Sequence, residues 1–519
     1  MSARELHAIL PLLVLSAGIV VLLLQVSFRR SHLAAAATTL ITLVASIYAC
    51  FQVAAALPPG GGSVAVTGLL LVDHTALFFC LLLLLAAIAV AVLGFNYLKL
   101  RCNPQSTTDN YPEEFYILLL LVMLGATTLV FANHFASFFL ALELMSLALY
   151  PMLGFSVSGD LSPKGEQSNS LEASIKYLLL SALSTALGLF GIALIYGASG
   201  ALDFGGIAAA VAQLPQGPSL MLAGLALLLI AVAFKLSLVP FHIWTPDVYQ
   251  GAPTPVTALI ATVGKGAVVA LLLRFFAHTD LFSIPALTSL LAIAALASML
   301  VGNLLALMQN NIKRLLAYSS IAHIGYLIVA FLIGSSAFGS EAVIYYLVAY
   351  VITTLGAFAV VGLIADSALR PAPGGTGPIS DAASDTLKDP VHDPFQREFY
   401  RGLLWRSPWL ACCLAAMLLS LAGIPLTIGF IGKFYIFAAG VQGQLWLLLA
   451  AVIIGSALGL FYYLRLLLTM VQRESEATAT FGSGVQIAIS GHLLLFSLTA
   501  ALLLFGVFPQ ILINWINAL

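Results

Sequence analysis

Phe234-Lys-Leu-Ser-Leu-Val-Pro-Phe-His-Ile-Trp-Thr-Pro246 breaks an apolar stretch with a lysine, a proline and a histidine, and the reading of that break decides the fold. Pro240 cannot continue a regular helix, because it lacks an N–H and frees a carbonyl one turn earlier. In hydrocarbon such a carbonyl is tolerated only where protein or water satisfies it. The stretch therefore reads as a membrane helix interrupted at a polar site. A second interruption of the same kind lies at Leu419-Ser-Leu-Ala-Gly-Ile-Pro425. Paired broken helices five spans apart are the pattern of repeated transporter halves, each broken near its site.

Composition agrees that the solvent is a bilayer. Of 519 residues, 61% are hydrophobic and 8% charged, against about a quarter charged in soluble domains. Apolar runs of about 18 to 25 residues recur along the chain, the length that crosses roughly 30 Å of hydrocarbon as helix. We read about fourteen spans, at roughly 6–28, 33–55, 68–97, 115–132, 135–156, 172–197, 219–250 (interrupted), 255–277, 283–308, 313–334, 341–366, 407–440 (interrupted), 444–470 and 485–515. The first is followed by Arg29 and Arg30 and preceded only by Arg4, the reverse of a cleavable signal, so it is expected to be retained.

Charge placement checks the count. Arg29, Arg30, Lys99, Arg101, Lys164, Lys313, Arg314, Arg370, Lys388, Arg397, Arg401, Arg406 and Arg473 all fall after odd-numbered spans, and the loops after even-numbered spans have no Lys or Arg. Because Lys and Arg collect in cytoplasmic loops, both termini are expected outside and the odd loops inside. The longest loop, 367–406, is rich in Pro, Gly and Asp and reads as a flexible cytoplasmic connection.

Ionisable residues inside the spans are the candidates for function. Placing one at mid-bilayer costs about 2.5–3.5 kcal/mol on insertion scales, so such residues line polar paths. Glu143, Lys235, Lys265 and Lys433 sit deep in their spans, and Lys176 lies near an end, where a lysine can also snorkel to the headgroups. Three deep lysines against one glutamate leave unmatched positive charge. That balance favours groups that titrate over a static ion pair, because burial disfavours a charged lysine and a nearby carboxylate favours it. His242 and His323 are accessory relay candidates, although a hydrogen-bonded structural histidine is as good a reading of each. Arg274 reads as an interfacial anchor, and the adjacent Cys412 and Cys413 as small packing residues.

Several functions are excluded. The five cysteines (Cys50, Cys80, Cys102, Cys412, Cys413) have no metal-ligand spacing. Neither a dinucleotide fingerprint nor a P-loop occurs, so no cofactor or metal is expected in this chain. The net charge of −1 gives no argument for nucleic acid.

The run from Phe234 to Ala258 strongly resembles the broken-helix segment of the antiporter-like subunits of respiratory complex I, which are similar to subunits of multisubunit sodium/proton antiporters. Leu171-Glu-Ala-Ser-Ile-Lys-Tyr177 and Met308-Gln-Asn-Asn-Ile-Lys-Arg-Leu-Leu-Ala-Tyr-Ser-Ser-Ile-Ala-His-Ile-Gly-Tyr326 resemble the subunit N branch, and the lysine at 433 stands where the subunit M type carries glutamate. The resemblance covers nearly the whole chain. It implies an all-α membrane protein with two inverted five-helix repeats, at 111–280 and 281–470, after N-terminal helices in 1–110 and before a last helix in 471–519. It also implies that Glu143 and Lys235 form a controlling pair, Lys265 a central relay, Lys433 the lysine of the second half-channel, and Lys176 a further family lysine. NADH, FMN, iron–sulfur clusters and quinone would belong to partner chains. The partners would be other complex I membrane subunits, especially neighbouring antiporter-like subunits and a lateral helix from one of them, in the bacterial inner membrane. A sodium/proton antiporter subunit or a non-transporting scaffold are the rival readings.

The charge asymmetry makes one direct prediction: a cysteine introduced at Gly375 in intact cells should resist impermeant thiol reagents and react only after the membrane is opened. Labelling from outside would reverse the assigned orientation.

Overall fold

The computed structural model describes residues 2–58, 62–101, 111–155, 166–212, 219–334, 336–368, 393–473 and 487–518. Cys102, Lys164, Arg370, Gly375 and Lys388 lie outside them. Among the described residues, twelve helices are long and apolar enough to cross a membrane: Leu10–Phe28, His32–Ala56, His74–Arg101, Pro112–Phe131, Phe135–Leu153, Ser168–Ser199, Thr254–Thr279, Pro285–Leu307, Ile312–Phe331, Phe338–Ala368, Trp446–Val471 and Ile489–Val507. Two more spans are made in halves. Ser219–Leu236 and Trp244–Gly251 form the seventh, and Pro408–Ala422 and Ile428–Gln442 the twelfth. With these two the fourteen spans read from the sequence are all present, and the broken one is the fourth of five in each repeat.

Side chains supply hydrogen-bond partners to the backbone at both breaks. At the seventh span, Ser237 takes a positive φ of 63°, and the Phe234 carbonyl accepts both the Ser237 N–H and the indole Nε1 of Trp244, each at 3.0 Å. The Val239 N–H goes to Ser298 Oγ at 2.9 Å, on the ninth span. At the twelfth, Gly423 takes φ 84°, a left-handed value that suits a residue without Cβ. The exposed Ala422 carbonyl accepts from Lys433 Nζ at 2.9 Å.

The eighth and eleventh spans form the centre, with every residue of their apolar windows buried inside the protein. The third span is tied at both ends. Near its start Arg274 of the eighth span donates to both carboxylate oxygens of Asp73, at 2.9 and 2.8 Å, and to the Leu71 carbonyl at 2.6 Å. At its end Arg101 meets Asp366 of the eleventh span at 2.7 Å.

Four expectations are corrected. Arg274 is a buried cross-tie and not an interfacial anchor, because Asp73 and a free strand carbonyl supply its polar partners. The third span starts at His74 and not near residue 68, because Val64–Val66 and Leu70–Val72 pair as a hairpin, and Asp73 then caps the helix by accepting from the Ala76 N–H at 2.7 Å. The last span ends at Val507, and Pro509 opens a separate helix to Asn517. Within the long loop, residues 393–406 are ordered against the bundle. The Ile312 N–H reaches the Phe395 carbonyl and the Arg397 N–H the Asn310 carbonyl, both at 2.8 Å, while Trp405 Nε1 donates to the Val471 carbonyl at 2.8 Å.

Removing one partner of a buried ion pair strands the other, at about 3–5 kcal/mol. Arg274→Ala should therefore lower thermal stability in detergent clearly, and Arg274→Ala with Asp73→Ala should recover part of the loss. Equal stability of the single variant and the parent would show that the tie contributes nothing.

Candidate functional site

Five of the seven sequence candidates lie in the polar interior of the bundle, in separate hydrogen-bonded groups. Lys235, in the last turn before the seventh-span break, projects between the fifth and sixth spans. Its Nζ donates to Ser146 Oγ at 2.6 Å, to Ser181 Oγ at 2.7 Å and to Tyr177 OH at 3.5 Å. Ser181 Oγ also accepts from Tyr150 OH at 3.0 Å. Glu143 makes no direct ion pair with Lys235. Its carboxylate accepts from Thr185 Oγ1 at 2.7 Å. Glu143 and Ser146 are neighbours on one helix face at i,i+3, as Ser181 and Thr185 are at i,i+4. The carboxylate thus sits one turn along two helices from the lysine, with hydroxyls between them.

Lys265 stands at the end of a five-residue π-helical segment, Ile260–Gly264, inside the eighth span. Single π turns interrupt the regular i→i+4 bonding and recur at functional positions. Here the Ala261 carbonyl accepts from Tyr350 OH at 3.1 Å. Lys265 Nζ donates to Ser320 Oγ at 2.6 Å, and Ser320 Oγ lies 2.6 Å from Tyr350 OH.

His323 follows Ser320 by one turn of the tenth span. Its Nδ1 is 2.6 Å from Tyr346 OH and its Nε2 is 3.4 Å from Tyr463 OH, and Tyr463 OH also bonds Ser319 Oγ. The imidazole is within electrostatic reach of both Lys265 and Lys433. Lys433 crosses back over the end of the first half of its own broken helix. It bonds the Ala422 carbonyl there, the favourable place for a cation at a helix C-terminus, and lies 5.4 Å from the Tyr326 ring centre.

Two candidates stand apart. Lys176 has a side chain 41% exposed and is held by Glu172 at 2.6 Å and Asp247 at 2.8 Å. Arg314 shares Asp247 at 2.7 Å. The residues line an open cleft on the face of the odd-numbered loops. His242 lies in the seventh-span break with Nδ1 unpaired, and none of the described hydrogen bonds joins its ring to a lysine.

Sequence reasoning passed over the neutral groups that join the charges: Tyr177, Ser181, Ser320, Tyr346, Tyr350 and Tyr463. The signal was present in the helical periodicity. Ser320 precedes His323 by three residues, and Tyr346 precedes Tyr350 by four, so each pair marks a polar stripe on an apolar helix. Asp247 was missed because it falls just beyond the break.

The description NADH:quinone oxidoreductase/Mrp antiporter, TM, fits residues 132–459. The chain is 44% identical over 517 residues to NADH-quinone oxidoreductase subunit N of Methylococcus capsulatus, covering 99% of this chain and 95% of that one. It is 42% identical over 525 residues to the protein of the same name from Ectopseudomonas mendocina, covering 99% and 97%. Among solved structures, a chain of respiratory complex I from Thermus thermophilus superposes with a TM-score of 0.76 at 31% identity, covering 98% of this chain and 99% of that one. A chain of the Mrp complex from Dietzia sp. superposes with a TM-score of 0.80 at 19% identity, covering 100% and 97%, a likeness of fold alone. With its broken helices, its buried lysines and relatives of this identity over nearly full length, the chain belongs to the NADH-quinone oxidoreductase subunit N family of antiporter-like membrane subunits.

Proposed function

We propose that this chain translocates protons as a membrane subunit of NADH:quinone oxidoreductase, with Lys235, Lys265 and Lys433 as successive carriers. The observation that carries this reading is the kind of partner each lysine has. Among the described residues none of the three has a carboxylate within ion-pair distance; each bonds a neutral hydroxyl or carbonyl. A lysine locked to a carboxylate is a fixed charge, as Lys176 is with Glu172 and Asp247. A buried lysine among neutral oxygens can hold a proton or release it, according to small changes in its surroundings.

Glu143 supplies such a change. Its charge stabilises the ammonium form of Lys235 from one turn away, and movement of the carboxylate alters how firmly Lys235 holds its proton. A released proton passes to Lys265, then by Ser320, Tyr350, His323 and Tyr346 toward Lys433. His242 has no place in this route, and Lys176 lies at its open flank. NADH, FMN, the iron–sulfur clusters and quinone reside in partner subunits, which supply the driving energy through conformational and charge coupling. Neighbouring antiporter-like subunits and a lateral helix from one of them are the expected contacts. The chain lies in the bacterial inner membrane with both termini periplasmic, so that residues 393–406 face the cytoplasm.

Two substitutions test the relay in purified complex reconstituted into vesicles. Lys265→Ala should leave assembly intact, since Ser320 keeps its Tyr350 partner, and should strongly lower NADH-driven proton uptake; normal uptake would remove Lys265 from the path. Glu143→Gln should lower coupled activity, Glu143→Asp should be milder, and Glu143→Gln combined with Lys235→Ala should cost little more than the worse single change. Losses that simply add in free energy would show that the two residues act independently.

A further inference from the structure

The connections above are interrupted between Lys235 and Lys265, as they are between Tyr350 and His323 and between Tyr346 and Lys433. Lys235 bonds groups on the fifth and sixth spans, Lys265 bonds Ser320 on the tenth, and no described hydrogen bond joins the two sets. The space between them is occupied by the short helix Trp244–Gly251 that follows the seventh-span break. A series of rings runs through it. Lys235 Nζ lies 5.3 Å from the Tyr177 ring centre, Tyr177 stands 4.9 Å from Trp244 and Trp244 stands 6.4 Å from Tyr249. The Tyr249 ring centre is 5.8 Å from Lys265 Nζ. Tyr249 is thus the residue of the short helix that reaches the second lysine, and it lies within electrostatic range of Tyr177 on one side and Tyr350 on the other.

Two hydroxyls on this helix are anomalous. Tyr249 and Thr245 are both fully buried, and neither hydroxyl has a hydrogen-bond partner in the protein. The Tyr249 hydroxyl interacts with Ser320 without meeting the distance and angle of a hydrogen bond. The two residues are i,i+4, on one face of the helix. Leaving a buried hydroxyl unpaired costs about 1–3 kcal/mol, and most buried side-chain polar atoms have a partner. Two such groups on one face of the helix that lies between the two lysine clusters are poorly explained by packing, which phenylalanine and valine would do as well.

We propose that Tyr249, with Thr245 one turn before it, is the hydroxyl relay that carries a proton from the Lys235 cluster to the Ser320–Lys265 cluster. The inference rests on the lysine relay proposed above. In each passage a hydroxyl oxygen takes up one proton from the Lys235 side as its own O–H bond breaks toward Ser320 and Lys265. The hydroxyl is neutral before and after, and rotation about the C–O bond returns it to the starting orientation. Neither residue binds the proton for storage; each shortens a transfer that the lysines cannot make directly.

The unpaired state of these hydroxyls makes the test clean, because Tyr249→Phe and Thr245→Val break no hydrogen bond within the protein. Both variants should assemble and melt like the parent. In the purified complex in vesicles, both should lose NADH-driven proton uptake, Tyr249→Phe to the extent that Lys265→Ala does, and Thr245→Ser should retain it. The rate ratio in light and heavy water should also rise in Tyr249→Phe as proton transfer becomes limiting, which a packing role would not cause. Normal uptake in Tyr249→Phe alongside failure of Lys265→Ala would overturn this inference and leave the lysine relay standing. Normal uptake in Lys265→Ala itself would overturn the relay and this inference together. Should Tyr249→Phe not assemble, the Thr245→Val and Thr245→Ser pair decides alone: equal uptake in both would exclude the hydroxyls.

Discussion

A helix cut in half inside a bilayer exposes carbonyls to a medium that offers them nothing, and both cuts in this chain are closed by side chains that also belong to the polar core. Trp244 adds a second donor to the Phe234 carbonyl beside the seventh-span break, and Lys433 closes the twelfth at Ala422. Breaking a helix and building a proton path are here one design problem. The freed backbone acceptors require donors, and the donors stand where a transfer route needs them. The same demand explains why Lys433 lies on the second half of its helix and reaches back to the first.

The rest of the bundle holds these breaks in register. The third span is clamped near one end by Asp73 and Arg274 and at the other by Arg101 and Asp366, so it ties the eighth and eleventh spans on opposite faces. Those two spans are the buried centre, and they carry Lys265, Tyr346 and Tyr350. Residues 393–406 add a further tie on the face of the odd loops. Lys313 there donates to the Ala252 carbonyl at 2.5 Å, at the end of the short helix that bears Thr245 and Tyr249.

Much of this was legible in the sequence because membrane physics is coarse. Fourteen apolar runs, two prolines and the placement of Lys and Arg required no knowledge of packing, and the deep lysines announced themselves by the cost of putting them there. What stayed hidden depends on rotation about helix axes. Arg274 could not be told from an anchor without knowing that Asp73 caps the neighbouring helix. Glu143 and Lys235 could be paired in the resemblance, yet only geometry shows Thr185, Ser181 and Ser146 standing between them. Serines and tyrosines are common in membrane helices, so their hydroxyls give no signal until the partner helix is in place. The ordered stretch 393–406 was obscured by the Pro, Gly and Asp residues that precede it.

The π segment at Ile260–Gly264 adds a residue to one turn of the eighth span. Each residue of an α-helix advances the azimuth by about 100°, so the segment acts as a phase shift between the two ends of the span. The end that packs near Thr254 and the end that carries Arg274 are each fixed to neighbours, and the added residue lets both be satisfied while Lys265 points at Ser320. A continuous α-helix could meet one boundary or the other. The span is therefore selective about length changes although it is apolar almost throughout: a one-residue deletion within the segment can be absorbed by its return to α-helix with both ends in phase, whereas one between Lys265 and Arg274 would force a choice between the Asp73 clamp and the direction of the central amine.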